Sequence, residues 1–263
     1  MEFDRFEVGL GTWGHSTSEQ CVGAVEYAIE HGYRFIDSAQ IYRNEADVAE
    51  GIRQASVPRE EITLSTKLHW DDLAYDDVLE RFEESLDRLG FEYVDQLYVH
   101  RPIGTYDPEE TLAAFDHLYE EQLIREIGLS NFSVEEVREA LEWADAPIVG
   151  NQVEMHPLYQ QSEMRTFLES EGLSLIAYSP LAHGMVPWLD ELREIATNYD
   201  ASAAQVSIAW LTSKAPVVPI PMGQTPRQIR ENFEAASLEL DPEDIAKIDA
   251  ISREEKMIPA PDE

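Results

Sequence analysis

Short apolar runs alternate with amphipathic segments along the whole chain. "FEVGLGTW" precedes the helical pattern of "SEQCVGAVEYAIEHG", and "YRFID" precedes "NEADVAEGIRQA". The order recurs with "EITLSTKL" before "YDDVLERFEESLDRLG", "YVDQLYVH" before "PEETLAAFDHLYEEQ", and "IREIGLSN" before "SVEEVREALEWA". "PIVGNQVE" then leads into "SEMRTFLESEG", and "LSLIAYSPL" into helical stretches around 187–199 and 202–213. "APVVPIPMG" closes the series ahead of "PRQIRENFEAA" and a last helix near 241–251. Within the helical segments apolar residues return every three or four positions, as at Val78, Phe82, Leu86 and Leu89, so they share one face. Ser18, Ser133 and Ser162 are the expected N-caps, and Gly32, Gly90 and Gly172 stand where helix stops belong. The apolar runs are short, as expected of parallel strands buried on both faces.

Eight consecutive strand–helix units with short links predict one α/β domain over residues 1–263, a (β/α)8 TIM barrel. A doubly wound sheet is the alternative. It is weakened because no strand-to-helix turn carries G-x-G-x-x-G; "GLGTWG" has glycines at the wrong spacing. No apolar run is long enough to cross a bilayer. "MEFDRFEVGL" has neither the basic nor the apolar segment of a secretory signal. The single cysteine, Cys21, leaves no internal disulfide and fits a reducing cytoplasm.

Charge changes the picture next. Aspartate and glutamate number 53 against 19 lysines and arginines, a formal net charge of -34. The acids are spread through the helical segments rather than gathered in a tail, so they read as a solvated surface. Such a surface repels nucleic acid and anionic membranes, and neither is expected as a partner. It also suits a cytoplasm rich in salt, where ions screen the self-repulsion; a halophilic source is the expectation. Lysine occurs only at positions 67, 214, 247 and 256, so Lys67 inside the apolar "ITLSTKL" is hard to dismiss as surface.

In barrels of this kind chemistry sits at the C-terminal ends of the strands. Asp37 ends the second strand, with Tyr42 in the loop behind it; Lys67 ends the third and His100 the fourth. Taken singly, Asp37 could cap a turn, Tyr42 and His100 could be rim residues, and Lys67 could snorkel. Together they form a set able to give a proton to an oxygen that gains negative charge. A paired Lys67 beside the Tyr42 phenol is expected to lower its pKa from about 10, while His100 orients the carbonyl. The seven histidines are scattered and form no H-x-H, so no metal site is expected. A Schiff-base aldolase using Lys67 and a nicotinamide-binding redox sensor without turnover are the alternatives.

"GYRFIDSAQIYRNEADVAEG", "LSTKL", "YVH", "IGLSNFS", "NQVEMHP" and "AYSPLAHG" occur in that order, and over essentially the full chain they resemble the aldo-keto reductase family. The general look is similar to its prokaryotic 2,5-diketo-gluconate reductase-like members. The resemblance implies reduction of aldehydes or ketones by hydride from NADPH, with NADH possible, and a small carbonyl or alcohol as substrate. It implies a tetrad of Asp37, Tyr42, Lys67 and His100, with Tyr42 as general acid. It implies a cofactor bed of Ser130, Asn131, Gln152, Tyr178, Ser179 and Leu181, with Tyr178 stacking on the nicotinamide. Trp13, His69, Trp70 and Arg43 are the implied substrate contacts, and the protein is expected to be a monomer.

The pattern departs from the family after the eighth strand, in "PIPMGQTPRQIRENF". Met222 and Gln228 stand where members preferring NADP(H) usually carry lysine and arginine. Arg227, Arg230 and Asn232 remain as candidates for the phosphate end of the cofactor. Arg43 and Ala49 replace family glycines.

Overall fold

Eight parallel strands follow one another around a single sheet in chain order. They are β1 (Leu10–Gly11), β2 (Phe35–Asp37), β3 (Thr63–Leu68), β4 (Val94–Val99), β5 (Ile124–Ser130), β6 (Ile148–Glu154), β7 (Ser174–Tyr178) and β8 (Val217–Pro219). The sheet closes on itself: the Gly9 N–H donates to Pro219 O at 3.0 Å and the Gly11 N–H to Pro221 O at 3.3 Å. Around it lie α1 (Ser18–Glu30), α2 (Glu45–Gln54), α3 (Tyr75–Leu89), α4 (Pro108–Glu120), α5 (Val134–Trp143) and α6 (Ser162–Glu171). The ring is completed by α7 (Asp190–Ala196), α8 (Ala203–Thr212), α9 (Pro226–Ala235) and α10 (Pro242–Asp249). This computed structural model describes residues 6–259. The (β/α)8 barrel read from the sequence is the fold observed.

Every residue of β3 and β4 is buried, polar ones included, because one face of each strand meets the helices and the other the barrel interior. The interior is packed, not hollow. Tyr98 on β4 is fully buried beside Gly128 on β5, its register partner. A Cβ at Gly128 would collide with the Tyr98 ring, so this position must be glycine. On α3, Val78, Phe82 and Leu89 are buried, as the spacing requires, and Gly90 ends the helix with φ 64°.

Two caps differ from the sequence reading. Thr17, not Ser18, caps α1: it is extended, and its hydroxyl accepts from the Gln20 N–H, while Ser18 is already helical. Gln161, in a left-handed conformation, precedes α6 without a side-chain cap. Ser133 behaves as expected and forms a reciprocal capping box with Glu136. The first strand is also much shorter than "FEVGLGTW".

The N-terminal end of the barrel carries its own buried charge. Asp95, second residue of β4, accepts from the Leu64 N–H at 3.0 Å. It pairs with Arg59 at 2.9 Å and Arg125 at 3.0 Å. Both guanidiniums lie over the Tyr93 ring, at 4.7 and 4.1 Å from its centroid.

Candidate active site

The opposite, C-terminal end of the barrel gathers the polar residues singled out above. Strand β2 delivers Asp37 there because its register with β1 and β3 ends at that residue. Lys67, fully buried, comes from β3 and places its ammonium 2.7 Å from both oxygens of Asp37 and 2.7 Å from Ser38 O. These three contacts match the three protons of an ammonium, so its nitrogen offers no free lone pair. The Asp37 carboxylate also accepts from Ser65 Oγ at 2.9 Å and from the Gln152 amide at 2.8 Å. Burial pulls the Lys67 pKa down, against the upward pull of Asp37.

Tyr42 ends a 3-10 turn, Gln40–Tyr42, that directly follows β2. Gln40 pins this turn to α3 through Arg81 O and Ser85 Oγ, both at 2.9 Å. The Lys67 ammonium lies 5.1 Å from the Tyr42 ring centroid, and the His100 ring stands edge-on to it at 6.2 Å. The four residues of the expected tetrad are thus brought together. One expectation fails. Burial first, and the Asp37 carboxylate second, hold the Tyr42 phenol well above its usual value. The ammonium does not lower it, because its charge is balanced by Asp37. Burial, followed by the charges of Lys67, Arg101 and His69, holds the His100 imidazole well below its usual value. The resting site therefore presents a neutral phenol and a neutral imidazole at pH 7.

Beside the tetrad, the ends of β5, β6 and β7 form a linked polar bed. Ser130 Oγ donates to Gln152 O at 3.0 Å. The Asn131 amide donates to His100 O and to Ser130 Oγ, each at 3.0 Å, and its oxygen accepts from the Tyr178 hydroxyl at 2.8 Å. Asn131 holds φ 63° to do this. Ser179, at φ 51°, and Leu181 continue the loop behind Tyr178, and the Ala182 N–H donates back to Ser179 O. The Gln152 amide nitrogen turns to Asp37, a contact the sequence could not show. Its oxygen, and the second lone pair of Asn131 Oδ1, remain able to accept from an amide. The half-buried Tyr178 ring lies next to them. These residues suit a flat ring bearing a carboxamide.

The rim residues divide. The His69 and Trp70 rings meet tilted at 3.9 Å, and Trp70 stands edge-on to His100 at 5.8 Å, so both border the tetrad. Trp13, 55% exposed, packs against His183 of the loop after β7 at 5.6 Å. Arg43 adjoins Tyr42 in a left-handed conformation with its side chain exposed. Arg101, which the sequence reading passed over, lays its guanidinium 6.0 Å from the Trp70 ring.

The other end of the expected cofactor site is different. Thr225 caps α9, and Gln228 ties its oxygen to the Gln224 N–H at 3.0 Å. Arg227 pairs with Glu231 at 2.6 Å and Arg230 with Glu234 at 3.8 Å, both along the exposed face of the helix. Asn232 is buried and donates to Met222 O at 3.4 Å. Among the described residues no group of His, Cys, Asp and Glu is placed to hold a metal ion, and no helix is long and apolar enough to cross a membrane.

Comparison with known proteins agrees with this geometry. The profile of the Aldo/keto reductase family matches residues 7–253. The glyoxal reductase of Bacillus subtilis (strain 168) is 38% identical over 255 residues, covering 97% of this chain and 92% of its own. The methylglyoxal reductase DkgA of Escherichia coli (strain K12) is 33% identical over 260 residues, 98% of this chain and 93% of its own. The crystal structure of a Bombyx mori aldo-keto reductase in complex with NADP superposes with a TM-score of 0.89 at 29% identity. It covers 97% of this chain and 92% of that one. The chain belongs to the aldo/keto reductase family and is an NAD(P)H-dependent oxidoreductase that reduces carbonyl compounds.

Proposed function

We propose that the protein reduces small aldehydes or ketones, with Tyr42 as proton donor, His100 as carbonyl-orienting group and the Lys67–Asp37 pair as their fixed support. The observation that carries this reading is the three-point lock on Lys67, which fixes a compensated positive charge beneath the Tyr42 ring. When bound, the nicotinamide supplies a hydride to the carbonyl carbon. The Tyr42 hydroxyl gives its proton to the carbonyl oxygen as negative charge builds there, and neutral His100 holds that oxygen. The raised phenol pKa keeps Tyr42 protonated at neutral pH, the form reduction needs, although it makes the hydroxyl a weaker acid until the carbonyl oxygen gains negative charge. Alcohol oxidation would need the phenolate and therefore a higher pH. The same lock speaks against the Schiff-base aldolase, which requires an unprotonated lysine nitrogen. A tetrad assembled in full makes little sense in a sensor without turnover.

Ser130, Asn131, Gln152 and Tyr178 would hold the nicotinamide, with Ser179 and Leu181 in the adjoining loop. For the cofactor we favour NADPH over NADH. The Arg227 and Arg230 pairs are solvent-exposed and weak, so a doubly charged phosphate can draw both arginines from their glutamates. A monomer in a salt-rich cytoplasm fits the acidic surface. The test follows NADPH and NADH absorbance with a panel of aldehydes, in molar salt and without. Tyr42→Phe should lose about 10²–10⁴-fold in kcat while still binding cofactor. Normal turnover by that variant would remove Tyr42 from the mechanism, and undiminished activity without salt would remove the halophilic setting.

A further inference from the structure

We propose that Arg101 is an anion receptor at the barrel mouth, and that the preferred substrates are carbonyl compounds bearing a carboxylate. The proposal rests on the reductase reading above and names the substrate class of that same site.

Position comes first. Arg101 directly follows His100, so the two Cα atoms lie about 3.8 Å apart. Its guanidinium lies against Trp70, whose ring stands edge-on to His100, which in turn faces Tyr42. The cation thus borders the place where the carbonyl must sit. Its positive charge reaches the site, since it contributes after burial and Lys67 to holding the His100 proton affinity down.

The second point is what Arg101 lacks. In a chain with 53 acids and 19 bases, cations find carboxylates easily. Arg53 meets Glu50, Arg88 meets Glu45, Arg193 meets Asp190 and Arg253 meets Glu191, most of them at the surface. Arg34, without a carboxylate, donates instead to Ile29 O and Tyr33 O. Arg101 is half-buried, yet among the described residues it makes no ion pair or hydrogen bond: its guanidinium meets the Trp70 ring, and its charge reaches only His100 and Tyr178. A guanidinium partly withdrawn from water, with its donors unused, is the group that binds a carboxylate through two parallel hydrogen bonds. The need is also physical. A protein of charge -34 repels anions at long range, so an anionic substrate requires a local cation to be held. Arg43, next to Tyr42 in the chain and exposed, also has no ion pair among the described residues.

The test compares two substrate pairs that differ in the charged group: glyoxylate with glyoxal, and succinic semialdehyde with butanal. Wild type should prefer the acid in at least one pair. Arg101→Gln should lower kcat/KM for that acid by about 30-fold, the loss expected for a charge-assisted hydrogen-bonded contact. Its neutral partner should change less than threefold and the KM for NADPH less than twofold. Arg101→Lys, which keeps the charge but not the fork, should recover part of the loss. The proposal is overturned if wild type favours neither acid, if acid and neutral substrates fall together, or if the NADPH KM is what rises. If wild type reduces no aldehyde, the reductase reading itself fails and the proposal with it.

Discussion

Asp37 and Asp95 are both buried carboxylates at strand ends, both compensated by cations, and they occupy opposite ends of one barrel. Asp95 receives two guanidiniums and a backbone N–H, and aromatic rings seal its surroundings. Its hydrogen-bonding partners are guanidiniums and a backbone amide, groups that do not exchange a proton near neutral pH. Asp37 receives a single ammonium, a serine hydroxyl and a glutamine amide, and its cation lies under a phenol that faces an imidazole. The difference is one of neighbours rather than of pairing. A buried ion pair by itself is weak evidence for function, because it serves equally as a staple. What marks the functional end is that titratable groups with opposing shifts surround the pair.

Breaking each pair should separate the two roles. Lys67→Met leaves Asp37 with only neutral donors. It should reduce kcat/KM by about 10³-fold and lower unfolding free energy by about 3–5 kcal/mol. Steady-state kinetics and a urea titration read the two effects. Retained turnover in a well-folded variant would show that the pair beneath Tyr42 is only structural.

Asp95→Asn is the counterpart at the other end. It leaves Arg59 and Arg125 without their counter-charge, Arg59 being largely buried. The expected cost is about 3 kcal/mol of stability, with turnover per folded molecule within about twofold of wild type. If Asp95→Asn and Lys67→Met lose activity equally, the division between a structural and a chemical end collapses.

How far this contrast can be read from sequence depends on distance along the chain. Asp37, Lys67 and His100 stand out because each puts a polar group at the end of an apolar run, and barrel topology supplies the end at which they meet. Asp95 breaks the run "YVDQLYV" just as plainly, but near its start, and a search confined to the C-terminal ends of strands overlooks it. The Gln152–Asp37 contact joins residues 115 apart across the barrel, and no local pattern encodes it. Arg101 does not stand out in the sequence because a loop arginine is ordinary; its place against Trp70 beside His100, together with its lack of an ion pair, sets it apart. The direction of the Tyr42 shift departs from the sequence expectation for a related reason. Composition shows that a cation is near, but not that its charge is already compensated, nor how far the half-buried phenol is desolvated.

Titration sharpens the same comparison with a smaller effect. The His100 imidazole is held well below its usual value in the folded protein. In the unfolded chain it titrates near pH 6.5. Below that pH the unfolded chain takes up a proton that the folded site refuses, so stability is lost as pH falls. Above about 6.5 this contribution is fully present. The slope is at most about 1.4 kcal/mol per pH unit for one group. His15, also held down by burial, adds a parallel share, so the His100 part is the difference between wild type and His100→Gln. Urea titrations between pH 5 and 7 should show a shallower slope in His100→Gln and an unchanged one in Asp95→Asn. On the alkaline side, reduction needs the neutral Tyr42 phenol, so the rate should show no falling limb from Tyr42 below about pH 10.

The smallest expected effect lies where charge is least fixed, along α9. Arg227 is 79% exposed and its pair with Glu231 is a surface one. Glu231→Gln should therefore leave thermal stability almost unchanged. If Arg227 serves the cofactor's 2′-phosphate, freeing it should lower the NADPH KM about two- to fivefold at low salt. The NADH KM should not move, because NADH lacks that phosphate. Molar salt should erase the difference, since exposed charges are screened within a few ångströms there. A parallel fall in both KM values would place Arg227 against a part of the dinucleotide common to both cofactors. No change in either would remove Arg227 from the phosphate end, leaving Arg230 and the capped N-terminus of α9 to hold whatever charge arrives. In each case the contrast with Lys67 persists: a cation locked at three points sets chemistry, whereas one held by a single exposed glutamate can only tune affinity.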